Sequence, residues 1–596
     1  MKRNHRHWLR NTGEIGLLLL ALLLMGCPPA VDLSVTNVEV TQGIQTTSNN
    51  VPLVAQRSTA VRATLGISGG SSVSGITGAL HVFVNGAEIT PVAGVAPINA
   101  PFTAPATPQR DNENHTLNFE LLAPTGISAS ADVDVRVDIT PVAGETNTAN
   151  NSGAANNLTF ATRITPALYF TRIDWTPSGL GLPALTAVQA GRGDAFVRGI
   201  YPVNDGDPNL YRQGLFPTLT FTDDGNNNNS LELNPEGNNL LSFLASCRQL
   251  IVNAGLGASN RTFLYGWVAG NPINGNGWAP IGGFVAFGNV QDIRYQRTYA
   301  HELTHNFGLD HNSTTLSPET GWDVGARLPG NPAGNNTTGR VKPSALNDIM
   351  VGGQLTNSAW ITVDNYNFLL NSASINTMAT ASASDDLTPR VLIVQGTFNA
   401  KGDSLVYLEP VFRYPWPSQA TPRQQTGRYV VEVIDEAGAV VRTQFDARVA
   451  DDAQQEVHGF FEVMVAVSPN REANRVRILS TDGQRMFGEF RRTQPPTIRI
   501  ISPEAGTRLG DSTRVAWEAN DPDTPKDELM FQLAYSPDAG RGFVPIGVDV
   551  RGASFVFSSK EIQRSESNGV IRVFVSDGLN TAFAEVRGLR AVNAQY

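Results

Sequence analysis

Three histidines between positions 301 and 311 constrain the local fold of this chain more than any other feature of its sequence. The window reads HELTHNFGLDH and holds three of the eight histidines of the protein. Residues four apart on an α-helix differ by about 400° in rotation, so His301 and His305 project from one face, one turn apart. His311 cannot follow on the same helix, because at about 1.5 Å per residue it would lie roughly 15 Å beyond His301. We therefore expect the helix to end at Gly308, where a left-handed terminal conformation costs glycine almost nothing, and the chain to turn back towards the first two histidines.

The residue types in this window are those of a catalytic zinc site. Three imidazoles that bind at about 2.0–2.1 Å leave one tetrahedral position of a zinc ion open. Glu302 lies one step around the helix from His301, where its carboxylate reaches a metal-bound water without binding the metal. A short helix can contain HExxH by accident, but a third histidine at this offset and a glycine where the geometry demands one favour a metal site. The window predicts Zn²⁺ bound by His301, His305 and His311, with Glu302 as general base.

Together with Met350, this window resembles the signature of the metzincin superfamily of zinc peptidases, HExxHxxGxxH followed by a methionine-containing turn beneath the zinc. The resemblance covers residues 166–382 and implies an α/β catalytic domain. Met350, in the segment NDIMVGG (347–353), is the candidate for the Met-turn. The alternative is an ordinary core methionine that fills a gap. The segment from Thr362 to Leu370 is similar to the capped last helix of such domains.

The resemblance also implies an exposed edge strand above the active-site helix, to which an extended substrate adds as a further strand. The segment GGFVAFG (282–288) occupies the matching position, and an edge strand would offer main-chain hydrogen bonds to a substrate. The residues assigned to this strand are Gly283, Phe284, Val285 and Ala286. The alternative is an interior strand. Gly352 stands where some members of the superfamily carry a tyrosine ligand, so we expect no fifth metal ligand.

These residues predict hydrolysis of peptide bonds in extracellular proteins or glycoproteins. Zinc lowers the pKa of its water towards about 7, and Glu302 accepts the proton and passes it to the leaving amine. A surface adhesin whose zinc domain binds a protein without cutting it is the alternative function, and zinc scavenging is a third. Glu302 beside all three ligands favours the enzyme, because binding alone requires no general base.

The first residues of the chain are typical of a bacterial lipoprotein signal peptide. A basic start precedes an apolar run from Ile15 to Met25, which is too short to cross a bilayer of about 30 Å. The run ends in LMGC (24–27), which resembles a lipobox and predicts lipidation of Cys27; the alternative is plain cleavage near Ala30 with free secretion. We expect a protein held by lipid at the bacterial cell surface or in the periplasm. The second cysteine, Cys247, lies in an apolar helical pattern and is predicted to be a buried thiol.

The rest of the chain predicts a multidomain, mainly β protein. A chain of 596 residues exceeds what one hydrophobic core supports, and 56 Gly and 36 Pro favour turn-rich β structure. We expect the signal peptide at 1–27, an immunoglobulin-like β-sandwich at 28–165, the α/β metzincin-like domain at 166–382, a β-sandwich at 383–495 and a fibronectin-III- or immunoglobulin-like β-sandwich at 496–596. A net charge of −10 without a basic stripe excludes nucleic acid as a natural partner.

A loop between residues 223 and 232 predicts a second cation site. The loop DDGNNNNSLE (223–232) carries oxygen ligands at alternate positions, which suits a structural Ca²⁺. The candidate ligands are Asp223, Asp224 and Asn226. The loop lacks the glycine and spacing of an EF-hand, and the alternative is a solvated loop without a cation.

Overall fold

Antiparallel strands make up most of the regular structure, which confirms the prediction of a mainly β chain. The computed structural model describes residues 31–89, 95–122, 124, 126–128, 131–145, 147–221, 230–231, 236–253, 260–273, 275–290, 294–325, 327–328, 339–376, 390–399, 401–412, 426–447, 459–468, 471–541, 543–557, 559, 562 and 564–591. The chain divides into two compact units. The first comprises the residues up to Thr41, Gln45–Leu53 and Ser58–Ala161, and the second comprises Gln42–Ile44, Val54–Arg57 and Thr162–Tyr596.

Two antiparallel sheets form the first unit around one apolar core. Its region contains β1 (Asp32–Thr41), β2 (Ile44–Gln45), β3 (Leu53–Val54), β4 (Thr59–Ser68), β5 (Ser72–Ile76), β6 (Gly78–Val84), β7 (Ala87–Glu88), β8 (Phe102–Pro105), β9 (Leu117–Leu121), β10 (Val133–Ile139), β11 (Ser152–Leu158) and β12 (Phe160–Ala161). One sheet has the order β1-β4-β9 and the other β11-β10-β6-β7, and both contribute to the same core. Every second residue of β10 is buried, as the alternation in the sequence predicts. An Asn-Gly pair after a strand predicts a hairpin turn, and Asn85-Gly86 joins β6 and β7 with positive φ at both residues.

A mixed five-stranded sheet is the scaffold of the histidine window in the second unit. The strands of this region are β13 (Ala167–Trp175), β14 (Arg212–Phe221), β15 (Thr262–Val268), β16 (Gly277–Trp278), β17 (Val285–Asn289), β18 (Thr320–Trp322), β19 (Val341–Lys342), β20 (Asn347–Asp348) and β21 (Ala359–Trp360). The sheet has the order β14-β13-β15-β17-β16, in which β14, β13, β15 and β17 are parallel and β16 is antiparallel to β17.

Five α-helices accompany this sheet among the described residues. They are α1 (Leu185–Val188), α2 (Ala195–Ile200), α3 (Asn238–Asn253), α4 (Tyr295–Phe307) and α5 (Val363–Asn371). Short 3-10 turns lie at Glu113–His115, Thr176–Ser178 and Pro208–Leu210. The apolar helical pattern around Cys247, ended by Gly255 and Gly257, predicts a helix over about 238–253 followed by a strand over 262–268, and α3 and β15 have these bounds. Helix α5 matches the predicted last helix within one residue at each end. None of the described helices is long and apolar enough to cross a membrane.

Two further pairs of sheets complete the second unit. Their strands are β22 (Arg390–Phe398), β23 (Leu405–Leu408), β24 (Tyr429–Asp435), β25 (Val440–Phe445), β26 (Gly459–Val467), β27 (Ala473–Ser480), β28 (Met486–Arg491), β29 (Thr497–Ser502), β30 (Arg508–Leu509), β31 (Thr513–Asn520), β32 (Met530–Ser536), β33 (Val544–Val550), β34 (Ser554–Phe557), β35 (Ser565–Ser576) and β36 (Thr581–Ala591). The sheets β23-β22-β26 and β25-β24-β27-β28 share one core, and β29-β31-β34 and β30-β36-β35-β32-β33 share another. Each pair is a β-sandwich.

Helix α3 is buried on nearly all sides because it packs between the mixed sheet and the two sandwiches. One core cluster joins α3 to β15 and β17, and also takes in Phe460 of β26 and Val548 of β33. The buried Arg248 of α3 donates to the Glu462 carboxylate at 2.8 Å and to the Thr262 carbonyl at 2.7 Å. Cys247 is a fully buried thiol, as predicted, and burial raises its pKa well above the ordinary value.

Candidate metal centre

Helix α4 carries the first two histidines and ends at the predicted residue. Gly308 has φ 112° and ψ 8°, and its N–H donates to the carbonyls of Thr304 and His305. The Leu309 N–H also donates to the Thr304 carbonyl, at 3.3 Å, so this carbonyl of the last turn has a second donor. A side chain with a Cβ adopts such a φ at a cost, whereas glycine does not. The structure thus confirms Gly308 as the residue at which the chain leaves the helix.

The remainder of α4 is held in place from the side of α2. The Tyr201 hydroxyl, just after α2, donates to the Ala300 carbonyl at 3.1 Å and lies 3.0 Å from the Thr304 hydroxyl. The Arg57 guanidinium donates to the carbonyls of Gly199 at 2.8 Å and Val203 at 3.1 Å. A buried cation at the carboxyl end of α2 stabilises that end of the helix. These hydrogen bonds fix the position of α4 relative to the carboxyl end of α2.

The structure brings the three predicted ligands together. The His301 Nε2 lies 2.9 Å from the His311 Nε2 and 3.1 Å from the His305 Nε2. Their ligand atoms all lie within 4.8 Å of one another, and no other such group of three acidic, cysteine or histidine side chains occurs in the described part of the chain. His301 and His305 are buried and His311 is half-buried. The turn after Gly308 thus returns the third histidine to the first two.

The outer nitrogens of the first two rings show which nitrogens are available to a metal. The His301 Nδ1–H donates to the Ile349 carbonyl at 2.7 Å, and the His305 Nδ1–H donates to the Leu309 carbonyl at 2.8 Å. A neutral imidazole has one N–H, so both Nε2 atoms carry lone pairs. Burial lowers the pKa of His301 well below its usual value and that of His305 to about 4, which keeps both rings neutral. Neutral imidazole is the form that binds metals.

This donor set fits a zinc ion. Two lone pairs that face each other at 3.1 Å repel, and a cation between them turns the repulsion into coordination. Tetrahedral ligands at about 2.0–2.1 Å from zinc lie roughly 3.3 Å from each other, close to the distances between these nitrogens. The carbonyls on Nδ1 are the outer partners that orient metal-binding histidines in zinc proteins.

Glu302 is buried on α4 next to the first ligand. A Cβ built on Gly277 would lie 2.9 Å from the Glu302 Cγ, so the backbone of β16 runs directly against this side chain. Burial first, and then the charge of Glu302, raise the pKa of the neighbouring Tyr265 phenol well above its usual value. Glu302 is thus confined between its own helix and the antiparallel strand β16.

Met350 is fully buried in a turn that supports the first ligand. The Ile349 carbonyl, one residue before it, accepts the His301 Nδ1–H. The same carbonyl accepts a hydrogen bond from Arg297 at 2.9 Å, and the Arg297 guanidinium also donates to the Val351 carbonyl. Sequence reasoning missed Arg297, although it precedes His301 by one helical turn and so lies on the face that bears the metal ligands.

The prediction of a substrate edge strand at Gly283–Ala286 is wrong. Strand β17 lies between β15 and β16, and all of its residues are buried. Gly277 pairs with Gly288 and Trp278 with Phe287, so β16 covers the outer side of β17 at these two residues. Of the predicted residues, Gly283 and Phe284 precede β17, Val285 and Ala286 belong to it, and all four are buried rather than exposed. The Asn306 Nδ2 group on α4 holds this segment by donating to the carbonyls of Pro280 and Val285 at 3.0 Å each. A two-residue strand such as β16 leaves no alternation in a sequence, which is why the interior position was not evident.

Two predicted sites lie outside the described residues. They are the lipidation site Cys27 and the calcium ligands Asp223, Asp224 and Asn226. Both therefore stay predictions from the sequence.

Comparisons with known proteins give no family for this chain. No family model and no curated protein matches it. The fibronectin(III)-like modules of CbhA from Clostridium thermocellum align with 29% of this chain and 83% of their own at 14% identity and a TM-score of 0.13. The FN1–FN3 domains of chicken CNTN1 align with 35% of this chain and 63% of their own at 10% identity and a TM-score of 0.13. The BSP domain of a biofilm associated protein aligns with 95% of this chain and 97% of its own at 8% identity and a TM-score of 0.11.

Proposed function

We propose that this protein is a zinc-dependent endopeptidase of the metzincin type, which hydrolyses peptide bonds in extracellular proteins or glycoproteins. The observation that carries the proposal is that the His301 Nε2 lies about 3 Å from the Nε2 atoms of both His305 and His311, with all three within 4.8 Å of one another and the buried Glu302 beside them. His301 and His305 hold their Nδ1 protons on backbone carbonyls, which leaves the inward nitrogens free to bind zinc. The window HELTHNFGLDH and the buried Met350 support the metzincin assignment.

In this mechanism the protein supplies the ligands and the base. Bound zinc lowers the pKa of water and polarises a carbonyl. Glu302 accepts the proton of the attacking water and gives it to the leaving amine, which its position beside His301 permits. The Gly277 backbone limits the movement of Glu302, so that the carboxylate stays where it can serve both transfers.

A substrate strand that adds to this sheet would pair with β16. This strand is the outermost of the five in the described structure, whereas Val285 and Ala286 belong to the interior strand β17. Main-chain groups of an edge strand bind an extended peptide irrespective of its side chains, so such a site suits an endopeptidase of broad specificity. A Cβ built on Gly277 of β16 would lie 2.9 Å from the Glu302 Cγ, so a peptide added to this strand would lie near the base.

The decisive experiment is a casein and gelatin zymogram of the purified protein with and without a zinc chelator, beside Glu302→Gln. The amide cannot accept a proton, so we expect zinc binding to persist while turnover falls by about 100-fold or more. Chelator-sensitive clearing by the wild type and its loss in the variant support the peptidase. A wild type that binds zinc but clears neither substrate would indicate the adhesin instead, and undiminished clearing by Glu302→Gln would exclude this residue as the base.

We further propose that Cys27 carries a lipid that anchors the protein at the bacterial cell surface or in the periplasm, and that the β-sandwiches are immunoglobulin-like or fibronectin-III-like modules. The sequence LMGC (24–27) supports the anchor. The two sheets with a shared core in each sandwich support the modules. The lipid predicts that the wild type partitions into the detergent phase on phase separation and that Cys27→Ser stays in the aqueous phase. Aqueous partitioning of both proteins would indicate free secretion.

A further inference from the structure

Asp348 is a fully buried carboxylate that gathers hydrogen bonds from three segments of the chain. Its Oδ1 accepts from the Asn312 Nδ2 at 3.0 Å, the Met350 N–H at 2.8 Å and the Asn365 Nδ2 at 2.6 Å. Its Oδ2 accepts from the Thr362 N–H at 2.8 Å. A buried carboxylate with this many donors is fixed in position, since each donor that it lost would leave a costly unpaired group.

The donors show what Asp348 connects. Asn312 directly follows the third metal ligand, His311. Met350 belongs to the turn whose neighbouring carbonyl, Ile349, holds the first ligand. Thr362 is the N-cap residue of α5, where the positive end of the helix dipole stabilises an anion. Asp348 therefore links residues 309–314, the arm that bears His311, to the Met350 turn, and it fixes both against α5.

The arm needs such a tie because it has no regular structure of its own. Residues 309–314 lie in neither helix nor strand after the chain leaves α4 at Gly308. The Asn312 N–H donates to the Met350 carbonyl at 3.2 Å, and its side-chain amide donates to Asp348. Asn312 is thus held to the Met350 turn by two hydrogen bonds, one residue away from a ligand that must reach the other two.

We propose that Asn312 and Asp348 form a positioning pair that sets the third metal ligand. The inference rests on the proposed zinc function and deepens it. The turn 348–351 holds His301 through the Ile349 carbonyl and His311 through Asn312, so it fixes the distance between two of the three ligands. Loss of the Asn312 amide leaves His301 and His305 in place and lets the His311 arm move. Removal of a group that hydrogen-bonds a metal ligand lowers metal affinity about 10- to 100-fold, and we expect a loss of about 10-fold here, because Asn312 acts on His311 through the backbone.

The test measures zinc affinity and stability of the apo protein separately in Asn312→Ala. Zinc dissociation constants come from competition with a chromogenic chelator, and the spectrum of the Co²⁺-substituted protein reports the geometry of the site. Asn371→Ala is the matched control, because the exposed Asn371 also loses one amide hydrogen bond, to the Asn367 carbonyl at 2.9 Å, at the other end of α5. We expect weaker zinc binding and an altered Co²⁺ spectrum in Asn312→Ala alone, with the thermal midpoints of both apo variants close to that of the wild type.

A second variant keeps the proposal testable if the first is uninformative. Asp348→Ala removes the carboxylate that accepts from the Asn312 amide. Because Asn312→Ala and Asp348→Ala remove the same hydrogen bond, the double variant should lose less zinc affinity than the sum of the two single losses, and fully additive losses would overturn the pair.

Three different results would contradict either the proposed zinc function or the positioning pair. Wild-type protein that does not bind zinc overturns the proposed function itself. Wild-type protein that binds zinc while Asn312→Ala binds it equally well overturns the positioning pair alone. An Asn312→Ala protein whose apo thermal midpoint falls while its zinc affinity and Co²⁺ spectrum stay unchanged makes Asn312 a merely structural residue, which also overturns the pair.

Discussion

At the scale of single residues, the position of Glu302 depends on a neighbour that has no side chain. A Cβ on Gly277 would lie 2.8 Å from the Phe287 carbonyl oxygen, 2.8 Å from the Thr298 Cγ2 and 2.9 Å from the Glu302 Cγ. Real Cβ atoms do not come this close, and the Phe287 oxygen belongs to the backbone of β17 and cannot swing aside. Glycine at 277 therefore allows strand β16 and the base to lie against each other.

Gly277→Ala should lower turnover more than zinc affinity. The added methyl group displaces Glu302 or β16, and a shift of about 1 Å at a catalytic group costs roughly 10- to 100-fold in rate. The measurements are kcat on a peptide substrate and the zinc dissociation constant. Gly510→Ala serves as the control, because a Cβ there meets no atom within 4 Å. Unchanged kcat in Gly277→Ala would mean that Glu302 is not held by this contact.

At the scale of secondary-structure elements, sequence reasoning succeeded where a residue pattern has one geometric solution. The end of α4 at Gly308 follows from a glycine that must precede a returning histidine, and the bounds of α3 follow from its apolar run. The failure at Gly283–Ala286 has a different origin. Whether a strand lies inside a sheet or at its edge depends on what pairs with its outer side, and β16 is only two residues long.

The sequence alone also did not predict the residues that hydrogen-bond around the metal site. Arg297 shares a helical face with His301, and this periodicity was the only available signal. Asp348 and Asn312 stand 36 positions apart, and nothing in their local patterns indicates that they meet. Such pairs depend on the tertiary path of the chain, which is set by long-range packing rather than by local preference.

At the scale of the whole molecule, two carboxyl groups lie at the contact between α3 and the sandwiches, the buried Glu409 and the half-buried Asp549. Glu409 accepts a hydrogen bond from Ser242, and Asp549 from Ser246, one turn apart on α3. Burial raises the pKa of Asp549 to about 7, and burial together with the charge of Asp549 raises the pKa of Glu409 well above its usual range. Both groups hold protons in the folded protein that they release when the chain unfolds.

The consequence is a stability that falls as pH rises. Between the ordinary pKa of 3.8 and the folded value of about 7, the folded protein binds more protons at Asp549 than the unfolded chain does. The free energy of unfolding therefore decreases as pH rises through this range. Asp549→Asn removes this pH-dependent contribution to the free energy of unfolding, and asparagine suits the positive φ of 49° at this position.

We expect Asp549→Asn to have a higher thermal midpoint than the wild type at about pH 8 and a smaller or no advantage at about pH 5. Thermal denaturation of both proteins across this range measures the difference, and the histidines affect both proteins equally. Parallel curves for the two proteins would show that Asp549 does not titrate at this contact.

The shared core around α3 also bears on how such a protein evolves. Phe460 and Val548, from two separate sandwiches, fill the same apolar cluster as the helix beside the mixed sheet. A gene segment that encoded only the histidine-bearing region would leave this helix uncovered in a new host protein. Recombination can therefore exchange this region only together with the sandwiches behind it, and the three are expected to be inherited as one piece.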